Sequence, residues 1–110
     1  MKKILIIVIM AIAIWSSANF PAIAVDTSNN AKIFQANCAG CHLGGGNIIR
    51  RGKNLKSRAL QKNQMDNLAA ITQLVTNGKN NMPAYGDRLT PEEIAAVSQY
   101  VLEQAATGWK

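Results

Sequence analysis

The 110-residue chain has one histidine, His42, and two cysteines, Cys38 and Cys41, and that scarcity removes several kinds of site at once. A structural zinc centre takes about four ligands, mostly Cys and His, and these three residues cannot supply them. Aromatic residues make up only 5% of the sequence, which is thin for a core that must hold without help. Chains of this size often depend on a disulfide, a metal or a cofactor. There is no internal repeat, no low-complexity tract, no sign of a second domain and no convincing strand pattern. An all-α fold remains.

Acidic residues are few as well, six against twelve Lys and Arg, giving a net charge of +6. No apolar run reaches the roughly twenty residues that a membrane span needs. The N-terminal run from Ile4 to Trp15 falls short of that length. It follows a basic start, Met1-Lys2-Lys3, and precedes Pro21-Ala22-Ile23-Ala24, which supplies small residues at both positions of an A-x-A cleavage site. That order predicts a secretory signal peptide over residues 1–24 and one exported domain over residues 25–110. An uncleaved anchor is the alternative.

Ala31, Phe34, Cys38 and Cys41 recur at three- and four-residue spacing, so a first helix is expected to run up to the cysteine pair. Gly44-Gly45-Gly46 and Gly52 make Leu43 to Lys53 a loop. Further helical stretches are expected around Leu55 to Leu60 and Asp66 to Val75, the latter ended by Asn77-Gly78. The last helix has the fullest local signal. Thr90 caps it, Pro91 suits its first position, Glu93 completes a capping box and Gly108 stops it. Ile94, Val97 and Val101 then line a face that reads as core.

The chemistry is concentrated in Cys38-Ala39-Gly40-Cys41-His42, the C-x-x-C-H pattern of c-type haem attachment. Two thiols at that spacing can add to the two vinyl groups on one edge of a haem. The adjacent histidine then falls beneath the iron as a nitrogen ligand. A thioredoxin-like pair belongs to a βαβ unit, which is not visible here. A disulfide across two intervening residues would close too small a loop to add much stability.

The iron's opposite position needs a donor, and there is no second histidine. Met1 and Met10 would leave with the leader, so the candidates are Met82, Met65, another weak donor or an open site. Met82 lies in a loop bracketed by Gly78 and Gly86 and is followed by Pro83, which stiffens the chain beside the sulfur. Met65 lies near a helix start and reads as a packing residue. Met/His ligation by Met82 and His42 fits one-electron transfer without enzyme activity. A small haem enzyme or gas sensor would need a vacant or labile sixth position.

From Ala31 almost to the C-terminus, the chain resembles the cytochrome c6 family. The resemblance is carried by Phe34, Cys38 to His42, Gly44-Gly45-Gly46-Asn47, Asn77-Gly78-Lys79-Asn80, Met82-Pro83-Ala84-Tyr85-Gly86, Arg88-Leu89 and Gly108-Trp109. It implies a class I cytochrome c fold of about four short helices around one covalent haem c. It also implies a monomer in the thylakoid lumen or periplasmic space, carrying electrons from the cytochrome b6f complex, through cytochrome f, to photosystem I. That is the role plastocyanin can also fill, and terminal oxidase would be a second acceptor. One position departs from the family's main carriers. They usually have glutamine eight residues before the ligand methionine, where this chain has Leu74, with Gln73 one place out of register. The change is similar to that in the c6-like side branches, so an auxiliary or respiratory carrier is the alternative.

Arg50, Arg51, Lys53, Lys56, Arg58 and Lys62 form a basic stretch with no acid among them. It reads as a solvated face or as a docking surface that speeds encounter with an acidic partner. An exported protein would not meet nucleic acid. The arginine matching Arg88 lies beside the haem edge in the family and assists contact with photosystem I; a structural salt bridge is the other reading. Trp109 reads as packing rather than an electron relay.

Overall fold

The computed structural model describes residues 27–110; the predicted signal peptide and its cleavage site lie outside the described residues. The first helix, α1, covers Thr27–Asn37 and buries Ile33 and Phe34. It ends at Asn37, directly before the cysteine pair, as the spacing predicts. The Asn37 side chain donates to the Ile33 carbonyl at 2.9 Å, and the chain continues through Cys38 into a single turn, α2, over Ala39–His42. The His42 amide closes that turn on the Cys38 carbonyl at 2.9 Å.

Two tight turns follow, Leu43–Gly45 and Arg51–Lys53, and then α3 over Ser57–Lys62 with Leu60 buried. Helix α4 covers Leu68–Asn77, two residues later at both ends than the pattern suggested. Its start is set by Asn67, whose side chain accepts from the Ala70 amide at 2.8 Å. Ile71 and Val75, one turn apart, are its buried residues.

Helix α5, Pro91–Thr107, forms as its local signals dictate, with both halves of the Thr90–Glu93 capping box made. It buries Ile94, Val97, Tyr100, Val101 and Ala105, and packs against α1 and α4. Ser98, also fully buried, satisfies its hydroxyl on the Ile94 carbonyl at 2.7 Å. The described residues thus hold five α-helical stretches and no strand, only an isolated bridge between Lys79 and Met82. Four helices match the expectation, and the one-turn α2 is additional.

The few aromatics are concentrated. Phe34 lies 5.2 Å from the Trp109 ring and 5.4 Å from Tyr100, and Tyr100 meets Trp109 edge-on at 6.1 Å. Trp109 also donates its ring N–H to the Leu55 carbonyl at 3.0 Å, which pins the end of the chain against the loop before α3. Gly45 makes this possible. Its φ of 78° is the left-handed region, and a Cβ there would run into the Trp109 indole. Trp109 is therefore a packing residue.

Candidate haem site

The glycine-rich loop delivers one carbonyl to one histidine. Gly44 and Gly45, at φ of 62° and 78°, turn the chain so that the Gly46 amide bonds back to the Leu43 carbonyl at 3.1 Å. The Gly46 carbonyl then sits 2.7 Å from Nδ1 of His42. A carbonyl can only accept, so Nδ1 carries the hydrogen. The neutral ring's lone pair is left on Nε2, the nitrogen a metal would need.

The two cysteines differ in environment: Cys38 is half-buried and Cys41 is exposed. Burial pushes the Cys38 thiol up to about 11, so it is protonated at neutral pH. The one-turn helix spaces them, with the Cys41 amide on the Cys38 carbonyl at 3.2 Å.

The methionine loop folds back onto the end of α4. The Tyr85 amide donates to Val75 at 2.9 Å and the Gly86 amide to Thr76 at 3.1 Å. Lys79 and Met82 exchange two backbone hydrogen bonds of 3.0 Å across the intervening turn. Gly78, at φ 67°, lets the loop close; a Cβ there would lie 2.6 Å from the Met82 carbonyl and 2.7 Å from the Ala84 amide. Tyr85 is buried, and its hydroxyl donates to the Asn37 carbonyl at 2.8 Å. Burial holds that phenol above its ordinary range, with the nearby Arg88 guanidinium acting against it.

Cys38, Cys41, His42 and Met82 all line one cavity of about 360 Å³. Leu60, Ile71, Val75, Val97 and Val101 give it an aliphatic wall. Two thiols, an imidazole with Nε2 free, a thioether and an apolar wall are the donor set of a c-type haem. Met65 lines the same cavity, so burial alone does not separate the two methionines.

The family model described as "Cytochrome C oxidase, cbb3-type, subunit III" matches residues 26–101. A "Cytochrome c6-like" protein of Nostoc sp. is 52% identical over the whole of both chains. The chain belongs to the cytochrome c6 family. The crystal structure of cytochrome c6C from Synechococcus sp. PCC 7002 is 65% identical, with TM-score 0.69, covering 71% of this chain and 95% of that one. Cytochrome c6 of the diatom Phaeodactylum tricornutum is 46% identical, with TM-score 0.73, covering 76% and 99%. As a cytochrome c6 family member the chain binds one covalent haem c and is an electron carrier.

Within this c6 fold Leu74 lines the cavity, whereas Gln73 points to solvent. Arg88 makes no salt bridge among the described residues; its guanidinium lies over the Tyr85 ring, 5.4 Å from the centroid. The Tyr85–Asn37 bond had no signal in the sequence, because the partner is a backbone carbonyl that every residue type supplies. All six cations of the basic stretch are exposed. No helix among the described residues is long and apolar enough to cross a membrane.

Proposed function

We propose that the protein is a soluble, exported one-electron carrier and not an enzyme, taking electrons from cytochrome f of the cytochrome b6f complex and delivering them to photosystem I in the thylakoid lumen. Terminal oxidase is a second acceptor. Bound haem supplies the one-electron iron couple. Cys38 and Cys41 would hold it as thioethers, and His42 Nε2 and the Met82 sulfur would be the ligands to its iron. The observation that carries this reading is the His42–Gly46 hydrogen bond, which fixes the tautomer with Nε2 free in the cavity Met82 also lines. The Gly78 close approach and the Lys79–Met82 bonds favour Met82 over Met65, because they hold the loop in one geometry. With Met82 and His42 both on the iron, oxygen and peroxide would be kept from it, which argues against a haem enzyme or gas sensor.

The surface near Cys41 supports a docking role. Leu43, Ile48 and Ile49 are 73%, 70% and 53% exposed, and Ile49 reaches the cavity lining. Arg50 and Arg51 follow immediately. A partner with an apolar spot and acidic surroundings would fit this surface.

An auxiliary carrier of the c6-like kind is the second reading, favoured by Leu74 in the cavity wall and by the c6C and c6-like relatives. Flash-induced reduction of photosystem I by the purified holoprotein tests the two. Rapid, concentration-dependent reduction supports the main role. Reduction far slower than with plastocyanin would assign the auxiliary one.

A further inference from the structure

The surface carries a second cleft, of about 290 Å³, between the Arg51–Lys53 turn and α3. Gly52, Asn54, Lys56, Arg58, Ala59 and Lys62 line it, three cations with no carboxylate among them. None of the three cationic side chains has a hydrogen-bond or ion-pair partner among the described residues. Arg58 and Lys62 stand one helical turn apart, a spacing at which like charges repel.

The frame of the cleft is held rather than loose. The Asn63 side-chain amide donates to the Gly52 carbonyl at 3.1 Å and to the Ala59 carbonyl at 2.9 Å, and so ties one wall to the other. Its oxygen accepts from the Lys53 ammonium at 2.8 Å. Asn54 donates to the Arg51 carbonyl at 2.8 Å and accepts from the Lys56 amide at 3.0 Å, which fixes the turn leading into α3. Prior ordering of this kind lowers the cost of binding.

Three unpaired cations on a pre-ordered frame suit a compact acceptor of more than one negative charge, which all three can reach at once. We propose that this cleft binds a phosphate-class oxyanion and thereby couples anion binding to the oxidation state of the haem. The coupling follows from position. Asn54 and Ala59 line both this cleft and the haem cavity, so one layer of side chains separates the two. A negative charge there favours the ferric state, and by reciprocity the ferric protein binds the anion more tightly.

The test uses the holoprotein, with inorganic phosphate and pyrophosphate as probes and sodium chloride holding ionic strength constant. Amide NMR shifts should saturate and be confined to Gly52, Asn54 and the segment 56–62. The double variant Arg58→Gln/Lys62→Gln, its circular dichroism unchanged, should lose at least about tenfold in affinity. Arg50→Gln should bind as wild type. If phosphatidylglycerol vesicles displace pyrophosphate, the natural source is a lipid headgroup; if they do not, it is a free anion. The potential should fall as the site fills, by about 59 mV for each tenfold preference for the ferric form. Shifts that never saturate, or an unchanged affinity in the double variant, overturn the site. Saturable binding of a polyglutamate peptide where pyrophosphate gives none reassigns the face to an acidic protein and also overturns it. A potential indifferent to saturation overturns the coupling.

Discussion

The Tyr85 hydroxyl donates a 2.8 Å hydrogen bond to the carbonyl of Asn37, joining residues 48 apart in the chain. One end belongs to the loop that carries Met82; the other is the last residue of α1, directly before Cys38. This single bond therefore links the two segments that bring the proposed ligands to one cavity.

Tyr85→Phe keeps the ring and removes only the hydroxyl. Stability should fall by about 1 kcal/mol, the usual net worth of such a bond, measured by urea denaturation of the holoprotein. The sulfur-to-iron charge-transfer band should also weaken at lower temperature than in the wild type, because the methionine loop has lost its tether. Equal thermal behaviour of the band would mean that Tyr85 acts by packing alone.

Gly45 and Gly44 separate backbone strain from collision. Both have positive φ, but only Gly45 faces the Trp109 ring. Gly44→Ala should cost about 1–2 kcal/mol from its left-handed backbone. Gly45→Ala adds a clash in a packed aromatic cluster and should cost a further 1–3 kcal/mol or so. Equal losses in denaturation midpoint would show that Trp109 moves aside freely.

The basic stretch predicts a salt response. Screening acts over about 10 Å at 0.1 M ionic strength, so the rate of association with an acidic partner should fall steeply as salt rises. Replacing Arg50 and Arg51 by Gln should flatten that dependence. A salt-independent rate in the wild type would leave the stretch as a solvated face.

Leu74 is expected to lower the reduction potential relative to glutamine at that position. An aliphatic wall alone disfavours the extra charge of ferric iron and raises the potential. A glutamine N–H directed at the haem or the Met82 sulfur stabilises the reduced form at hydrogen-bonding distance, and the directed dipole outweighs the diffuse effect. A bond of about 1 kcal/mol corresponds to roughly 40 mV for one electron. Paired titrations should therefore show Leu74→Gln higher by tens of millivolts; a fall or no change would defeat this account.

What could be read beforehand was local chemistry. The Thr90–Glu93 box, Pro91 and Gly108 each act within a few residues, and α5 forms between them. Cys38 to His42 is likewise a contiguous signature, and Met82, the proposed second ligand, stands out by its glycines and Pro83. The short break between α1 and α2 at Cys38 was not legible, because the apolar spacing of Phe34, Cys38 and Cys41 runs straight through it. Nor were contacts to carbonyls legible, such as Trp109 to Leu55 or His42 to Gly46, since a carbonyl leaves no mark on residue type. The Arg88 contact with Tyr85 needed the fold of the methionine loop before its two residues could be placed together.

The proposal that His42 and Met82 hold the iron is tested most directly by the near-infrared sulfur-to-iron charge-transfer band of the oxidised holoprotein, compared in Met82→Ala and Met65→Ala. The band should be present in the wild type, persist in Met65→Ala and vanish in Met82→Ala, with the haem still covalently attached. A band that survives in Met82→Ala, or is lost in Met65→Ala instead, would contradict the assignment.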